Sequence, residues 1–162
     1  MMGQAGEGQK QMKETPIQSI RRVVEPVFRR PEFIQAAALC LREGKAGREV
    51  LMVTTLRTRR WILPKGWPMK GRTLAGAALQ EAWEEAGVVG TVEPVPIGFF
   101  TYAKVRRGGF ALSCRVEVFR VHVSDLLRDW PERHRRRRKW FAVEQAADLV
   151  DEPDLKALLA SL

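Results

Sequence analysis

Glu81, Glu84 and Glu85 stand within one short run bounded by Gly66 and Gly87. In an α-helix, which turns about 100° per residue, Glu81 and Glu85 project about 40° apart and Glu84 lies within about 100° of both. Three carboxylates on one flank repel each other by about a few tenths of a kcal/mol per pair unless a cation sits among them. A hard divalent cation suits such a set. Mg²⁺ and Mn²⁺ take oxygen ligands, keep several waters and bridge protein carboxylates to substrate phosphates. The chemistry implied is metal-assisted work on a phosphorylated compound.

The run Gly66-Trp-Pro-Met-Lys-Gly-Arg-Thr-Leu-Ala-Gly-Ala-Ala-Leu-Gln-Glu-Ala-Trp-Glu-Glu-Ala-Gly-Val88 resembles the Nudix box. That pattern is Gly, five residues, Glu, seven residues, Arg-Glu, an apolar residue, any residue, Glu-Glu, any residue, Gly, apolar. Gly66, Glu81, Glu84, Glu85, Gly87 and Val88 fall in register. Arg72 stands where the family has its first Glu, and Gln80 where it has Arg. An acid and a base at those positions could pair, and both are changed here, so no buried charge is stranded by the loss of one partner.

The resemblance implies a hydrolase that splits a phosphoanhydride in a diphosphate compound, with Mg²⁺ or Mn²⁺ held by Glu81, Glu84 and Glu85. It also implies a backbone carbonyl ligand near the box glycine, at Lys65 or Gly66. Glu84 points furthest from the helix's apolar face and is the candidate proton acceptor. Glu93, Glu117 and Glu144 stand as alternatives, because other branches of the family take their base from outside the box.

Cationic residues set the substrate. Arg57, Arg59 and Arg60 precede the box loop, Lys65 lies in it, and Arg138 and Lys139 close a basic run from Arg133. Arginine's forked donors and lysine's point charge both suit phosphate oxygens, so these six are the candidate substrate contacts. The chain also resembles one Nudix branch, the diphosphoinositol polyphosphate phosphohydrolases, which likewise act on diadenosine polyphosphates. The similarity lies in Trp61-Ile-Leu-Pro, in Glu-Glu-Ala-Gly-Val and in Lys139-Trp-Phe-Ala-Val-Glu. A non-catalytic module that captures a polyphosphate or RNA is the rival reading, kept alive by Arg72 and Gln80.

Several elements must position these groups. Thr73 is the expected N-cap of the carboxylate helix, Gly87 its C-terminal stop, and Ala75, Ala78, Leu79, Ala82 and Ala86 its apolar face. Phe33–Arg42 and Glu49–Thr55 read as strands joined by a Gly44-Lys45-Ala46-Gly47 turn, with Trp61–Pro64 a short strand entering the loop. Val88–Val105 and Phe110–Val123 read as two long strands around a turn at Arg106–Gly109. A brief strand at Trp140, a helix over Glu144–Leu149 and a last helix over Pro153–Leu162 follow. This order gives an α/β/α sandwich of the Nudix type with a mixed β-sheet.

The 162 residues fit a flexible basic arm over 1–31, with a short helix near Gln18–Val24, and one Nudix hydrolase domain over 32–162. The net charge of +9 comes from residues 1–31 and Arg133–Lys139, since the remaining residues balance. So local an excess favours a small anionic ligand over a nucleic-acid surface. No stretch has the ~18 apolar residues of a membrane span, and the N-terminus lacks signal-peptide layout. A cytoplasmic protein without membrane association is expected. Cys40 and Cys114 show no metal-ligand spacing and read as buried free thiols.

Overall fold

The structure is a computed structural model that describes residues 33–105, 109 and 111–162. The arm over 1–31 with its Gln18–Val24 helix, and most of the Arg106–Gly109 turn, lie outside the described residues. The chain runs β1 (Phe33–Gly44), β2 (Gly47–Thr54), β3 (Trp61–Ile62), β4 (Lys65–Gly66), α1 (Leu74–Ala86), β5 (Val88–Val92) and β6 (Gly98–Val105). It continues through β7 (Ala111–Leu126), β8 (Arg138–Ala142), α2 (Val143–Leu149) and α3 (Pro153–Ala160).

The sheet is mixed around one parallel pair, β1 with β7, in register from Phe33↔Cys114 to Cys40↔Val121. The rest of β1 turns back on β2 as the expected hairpin, closing at Gly44↔Gly47. β7 is long enough to carry two antiparallel partners in succession, β6 along its first half and β5 along its second. β8 and β3 complete the β2 side. β4 pairs antiparallel with β1 at Ala36 and Ala37, which ties the box loop directly to the central strand.

Each face of the sheet is covered. Leu39, Met52, Phe100, Val116, Leu155 and Leu159 pack in the layer that holds α2 and α3. On the other face Ala36, Ala38, Cys40, Leu51 and Phe119 meet Ala75, Ala78, Ala82 and Ala86 of α1. This is the α/β/α sandwich that the element order implies. Alanine is a poor strand former, yet Ala36, Ala37 and Ala38 are fully buried in β1. Small side chains on both strand and helix let α1 lie close to the sheet, so packing overrides propensity.

The ends of α1 are closed as the residue types predict. Thr73 has extended backbone and its hydroxyl accepts a 3.0 Å hydrogen bond from the Gly76 N–H. Gly87 adopts φ +66°, and its N–H donates to the Trp83 carbonyl at 2.9 Å. Two side chains from later in the chain complete the C-terminus. Arg138 Nη1 donates to the Ala86 carbonyl at 2.5 Å, and Trp130 Nε1 to the Glu85 carbonyl at 3.1 Å.

One strand boundary departs from expectation. Val88–Val105 is two strands because Pro94 and Pro96 interrupt it, and proline supplies no ladder N–H. The Glu93 and Ile97 amides still donate to the Arg120 and Val118 carbonyls of β7, so the connection hugs the strand it leaves.

The Gly87 stop is steric as well as conformational. A Cβ there would lie 2.8 Å from Arg138 Nη1 and 3.0 Å from Trp130 Cβ. Gly87→Ala is expected to lower the unfolding free energy by about 2 kcal/mol, from αL strain and this crowding. Urea titration followed by tryptophan fluorescence measures it, and a loss below about 0.5 kcal/mol, the scale of an ordinary surface substitution, would contradict the account.

Candidate active site

A cavity of about 490 Å³ opens where α1, β4, β6 and the turn over 131–135 meet. Glu81, Glu84 and Glu85 all line it, as the helical spacing requires, and Lys65 and Gly66 form part of its wall. Trp67, Tyr102 and Lys104 stand along another part, with Arg57, Glu132 and Arg136 completing the charged lining.

The three box carboxylates have different surroundings. Glu85 is only 5% exposed, at the helix–sheet boundary. Arg136 Nη2 lies 2.5 Å from its Oε1, and the Lys65 N–H donates to Oε2 at 3.1 Å. Burial pushes the Glu85 carboxyl up to about 7, against the pull of Arg136 and of the Lys65 amide. Glu81 is raised too, first by burial and then by the charges of Glu84 and Glu132. Its carboxylate rests against Gly66, where a Cβ would come within 1.8 Å of Glu81 Oε1. A side chain at the box glycine would therefore have to displace the Glu81 carboxylate. Glu84 accepts a 2.8 Å hydrogen bond at Oε1 from Gln80 Nε2, one helical turn earlier.

The cationic residues divide sharply. Arg57 and Lys65 line the cavity. Arg59, Arg60, Arg138 and Lys139 do not, and each has other employment. Arg59 Nη1 donates to the Arg135 carbonyl at 2.5 Å. Arg60 pairs with Asp151 at 2.7 Å and with buried Glu152 at 3.0 Å, which fastens its loop to the start of α3. Arg138 caps α1, donates to the Leu127 carbonyl at 2.7 Å and lies 3.9 Å over the Trp130 ring. Burial and the nearby Arg133 charge lower its pKa. Lys139 Nζ sits 4.9 Å from the Phe141 ring centroid on β8. These four candidate substrate contacts therefore lie outside the cavity lining, while Arg57 and Lys65 lie within it.

Arg136 and Glu132 are the site residues that sequence reasoning missed. Arg136 pairs with both Glu85 and Glu132 and donates to the Thr54 carbonyl at 2.9 Å, with its side chain only 12% exposed. The signal lay in their i,i+4 spacing at the head of the basic run. Glu93, Glu117 and Glu144 do not line the cavity: Glu93 meets His122 at 2.8 Å, Glu117 meets Arg115 at 2.7 Å, and Glu144 opens α2. Glu132 is the carboxylate from outside the box that reaches the cavity.

Among the described residues no three Asp, Glu, His or Cys side chains converge into a ready ligand group. The donor set nonetheless fits a hard divalent cation. Glu81, Glu84, Glu85 and Glu132 offer only oxygen and share one cavity with the Gly66 backbone, and their charge is offset there by Arg136 and Lys65.

The family model for the NUDIX domain matches residues 33–162. The chain belongs to the Nudix family. It is 36% identical over 119 residues to human diphosphoinositol polyphosphate phosphohydrolase 3-beta, covering 72% of this chain and 68% of that one. It is 35% identical over 108 residues to Nudix hydrolase 12, mitochondrial, of Arabidopsis thaliana, covering 62% of this chain. The match spans about half of that relative, 51% of its length. Among solved structures, a C. elegans Ap4A hydrolase aligns with a TM-score of 0.57 and 21% identity over 80% of this chain and 94% of that one. That likeness shows the Nudix fold.

Arg136 is the counter-ion that this Nudix site places inside the protein. Arg136→Met leaves Glu85 buried and unpaired, and is expected to cost about 3 kcal/mol of stability. Adding Glu85→Gln should recover a good part of that loss. Chemical denaturation of the two single variants and the double variant measures the coupling, and strictly additive losses would refute it.

Proposed function

We propose that the protein is a Mg²⁺- or Mn²⁺-dependent Nudix pyrophosphohydrolase acting on a highly anionic diphosphate, either a diphosphoinositol polyphosphate or a dinucleoside polyphosphate. One observation carries the reading: four carboxylates share a single cavity with Lys65, Lys104, Arg57 and Arg136. A site with acids alone would repel phosphate, and one with bases alone would bind without activating water. The names of the human and Arabidopsis relatives support hydrolysis of this kind.

A bound divalent cation, held by Glu81, Glu84, Glu85 and the Gly66 backbone, supplies charge neutralisation on phosphate oxygens and a more acidic water. The chain's own groups do the rest. Water adds its oxygen to one phosphorus, the bridging P–O bond breaks, and the leaving phosphate takes the electron pair. Glu84 receives the water's proton. Gln80 fixes one Glu84 oxygen, which orients the carboxylate for that transfer. Lys65 faces the substrate phosphates and Glu132 adds a further carboxylate to the set.

The rival reading of a non-catalytic binder rested on Arg72 and Gln80. Gln80 keeps a hydrogen bond to Glu84, so its presence supports turnover. No helix among the described residues is long and apolar enough to cross a membrane. A cytoplasmic location belongs to this same reading, and fractionation tests it, since several Arabidopsis relatives carry "mitochondrial" in their names.

The purified chain with Mg²⁺ or Mn²⁺ should release phosphate from a diphosphoinositol polyphosphate or mononucleotide from diadenosine tetraphosphate. Glu84→Gln should lower kcat about 100-fold or more, the usual effect of removing a general base. Silence of the wild-type protein on both substrates, beside an active Nudix control, sinks the proposal.

A further inference from the structure

Two lysines in the cavity are held by aromatic rings. Lys65 Nζ lies 4.8 Å from the Tyr102 ring centroid, and Lys104 Nζ lies 4.8 Å from that of Trp67. The pairs are crossed: the loop contributes Lys65 then Trp67, and β6 contributes Tyr102 then Lys104. Both partners on β6 fall on one strand face, which also carries buried Phe100. Tyr102 is fixed in turn, donating to the carboxamide oxygen of buried Gln35 at 2.7 Å and accepting from Lys65 Nζ at 3.4 Å. Phe33 braces Trp67 edge-on, with ring centroids 6.2 Å apart and planes at 86°.

A ring holds an ammonium without neutralising it. Arg60 and Arg136, by contrast, are committed to carboxylates, and Arg138 to carbonyls. Among the described residues neither Lys65 nor Lys104 is in a salt bridge with a carboxylate. Both side-chain amines are left to meet an incoming anion, although burial lowers the Lys65 pKa. Their depths differ. The Lys65 backbone is bonded to Glu85 and its Nζ reaches only as far as the Tyr102 hydroxyl, so Lys65 spans from the acidic cluster to Tyr102. Lys104 is two residues past Tyr102 toward the exposed end of β6, roughly 6.6 Å further at the usual strand rise.

We propose that Lys104, seated on Trp67, is the residue by which this cavity prefers a chain of three or more phosphates to a simple diphosphate. Lys65 meets a phosphate next to the acidic cluster, beside the bond to be cleaved, and Lys104 meets an anionic group further along the same chain. Trp67 acts as a positioning residue: it holds the ammonium over the cavity instead of leaving it to sweep through solvent. This inference rests on the hydrolase reading above, since it takes a phosphate chain to be the occupant.

Calorimetry with methylenediphosphonate and its methylene-bridged three-phosphorus homologue, both resistant to cleavage, tests it in Mg²⁺. The wild-type protein should bind the longer probe more tightly. Lys104→Gln should weaken that probe about ten-fold and the shorter one less than about two-fold, one charge-assisted contact being lost. Trp67→Leu should shift the ratio the same way by a smaller factor. Lys70→Gln, the same charge change at an exposed lysine outside the cavity lining, should leave the ratio where it was. Equal weakening of both probes in Lys104→Gln, or an unchanged ratio, overturns the proposal. Wild-type turnover on the substrate panel judges the hydrolase reading separately, so the two can fail independently.

Discussion

A carboxylate inside a helix–sheet interface has to be compensated, and Glu85 imposes that condition on three separate parts of the chain. It sits one residue before the end of α1, where Ala82 and Ala86 bring the helix against the sheet. The box loop answers with the Lys65 amide, and the segment after β7 answers with Arg136. Arg136 is anchored in turn by Glu132 and the Thr54 carbonyl. Burial makes an unpaired charge costly, so loop, helix and turn are held in one arrangement by one carboxylate.

That arrangement explains how the chain uses its excess of basic residues. The basic run looks like one electrostatic patch in the sequence, but its members work singly. Arg136 is a buried counter-ion, Arg138 closes the end of α1, and the Arg135 carbonyl receives Arg59. The cations left facing the cavity come from the box loop, from the loop after β2 and from β6. Organisation of the acidic cluster thus consumes Arg136, while Lys65 and Lys104 line the same cavity on aromatic supports.

Local order was readable without the structure where short-range chemistry decides it. The Thr73 cap, the Gly87 stop, the β1–β2 hairpin and the two C-terminal helices all follow from residue types a few positions apart. The shared flank of Glu81, Glu84 and Glu85 follows from the helical period. The split between β5 and β6 was also readable, since Pro94 and Pro96 interrupt the ladder, but the β-branched residues on either side outweighed them. Arg136 and Lys104 are a different matter. Each reaches the cavity only because distant strands pair, Arg136 through the β8–β2 register and Lys104 through β6 on β7. The i,i+4 spacing from Glu132 is a weak local mark on Arg136, since Arg133 has the same spacing from Asp129.

Gln80 shows how a departure from a family pattern can keep a contact while changing its character. An arginine would approach Glu84 with a full charge and a fork of donors, whereas the carboxamide brings one neutral donor at 2.8 Å. The contact is retained and the counter-charge is not. With Arg72 in place of an acid, no carboxylate at position 72 needs a base at position 80, so the two replacements are consistent with each other. Glu84 is then the box carboxylate oriented by a neutral partner, while Glu85 keeps a cationic one. That asymmetry separates the two carboxylates by environment: Glu85 is charge-paired at the helix–sheet boundary, and Glu84 is tethered by a neutral carboxamide.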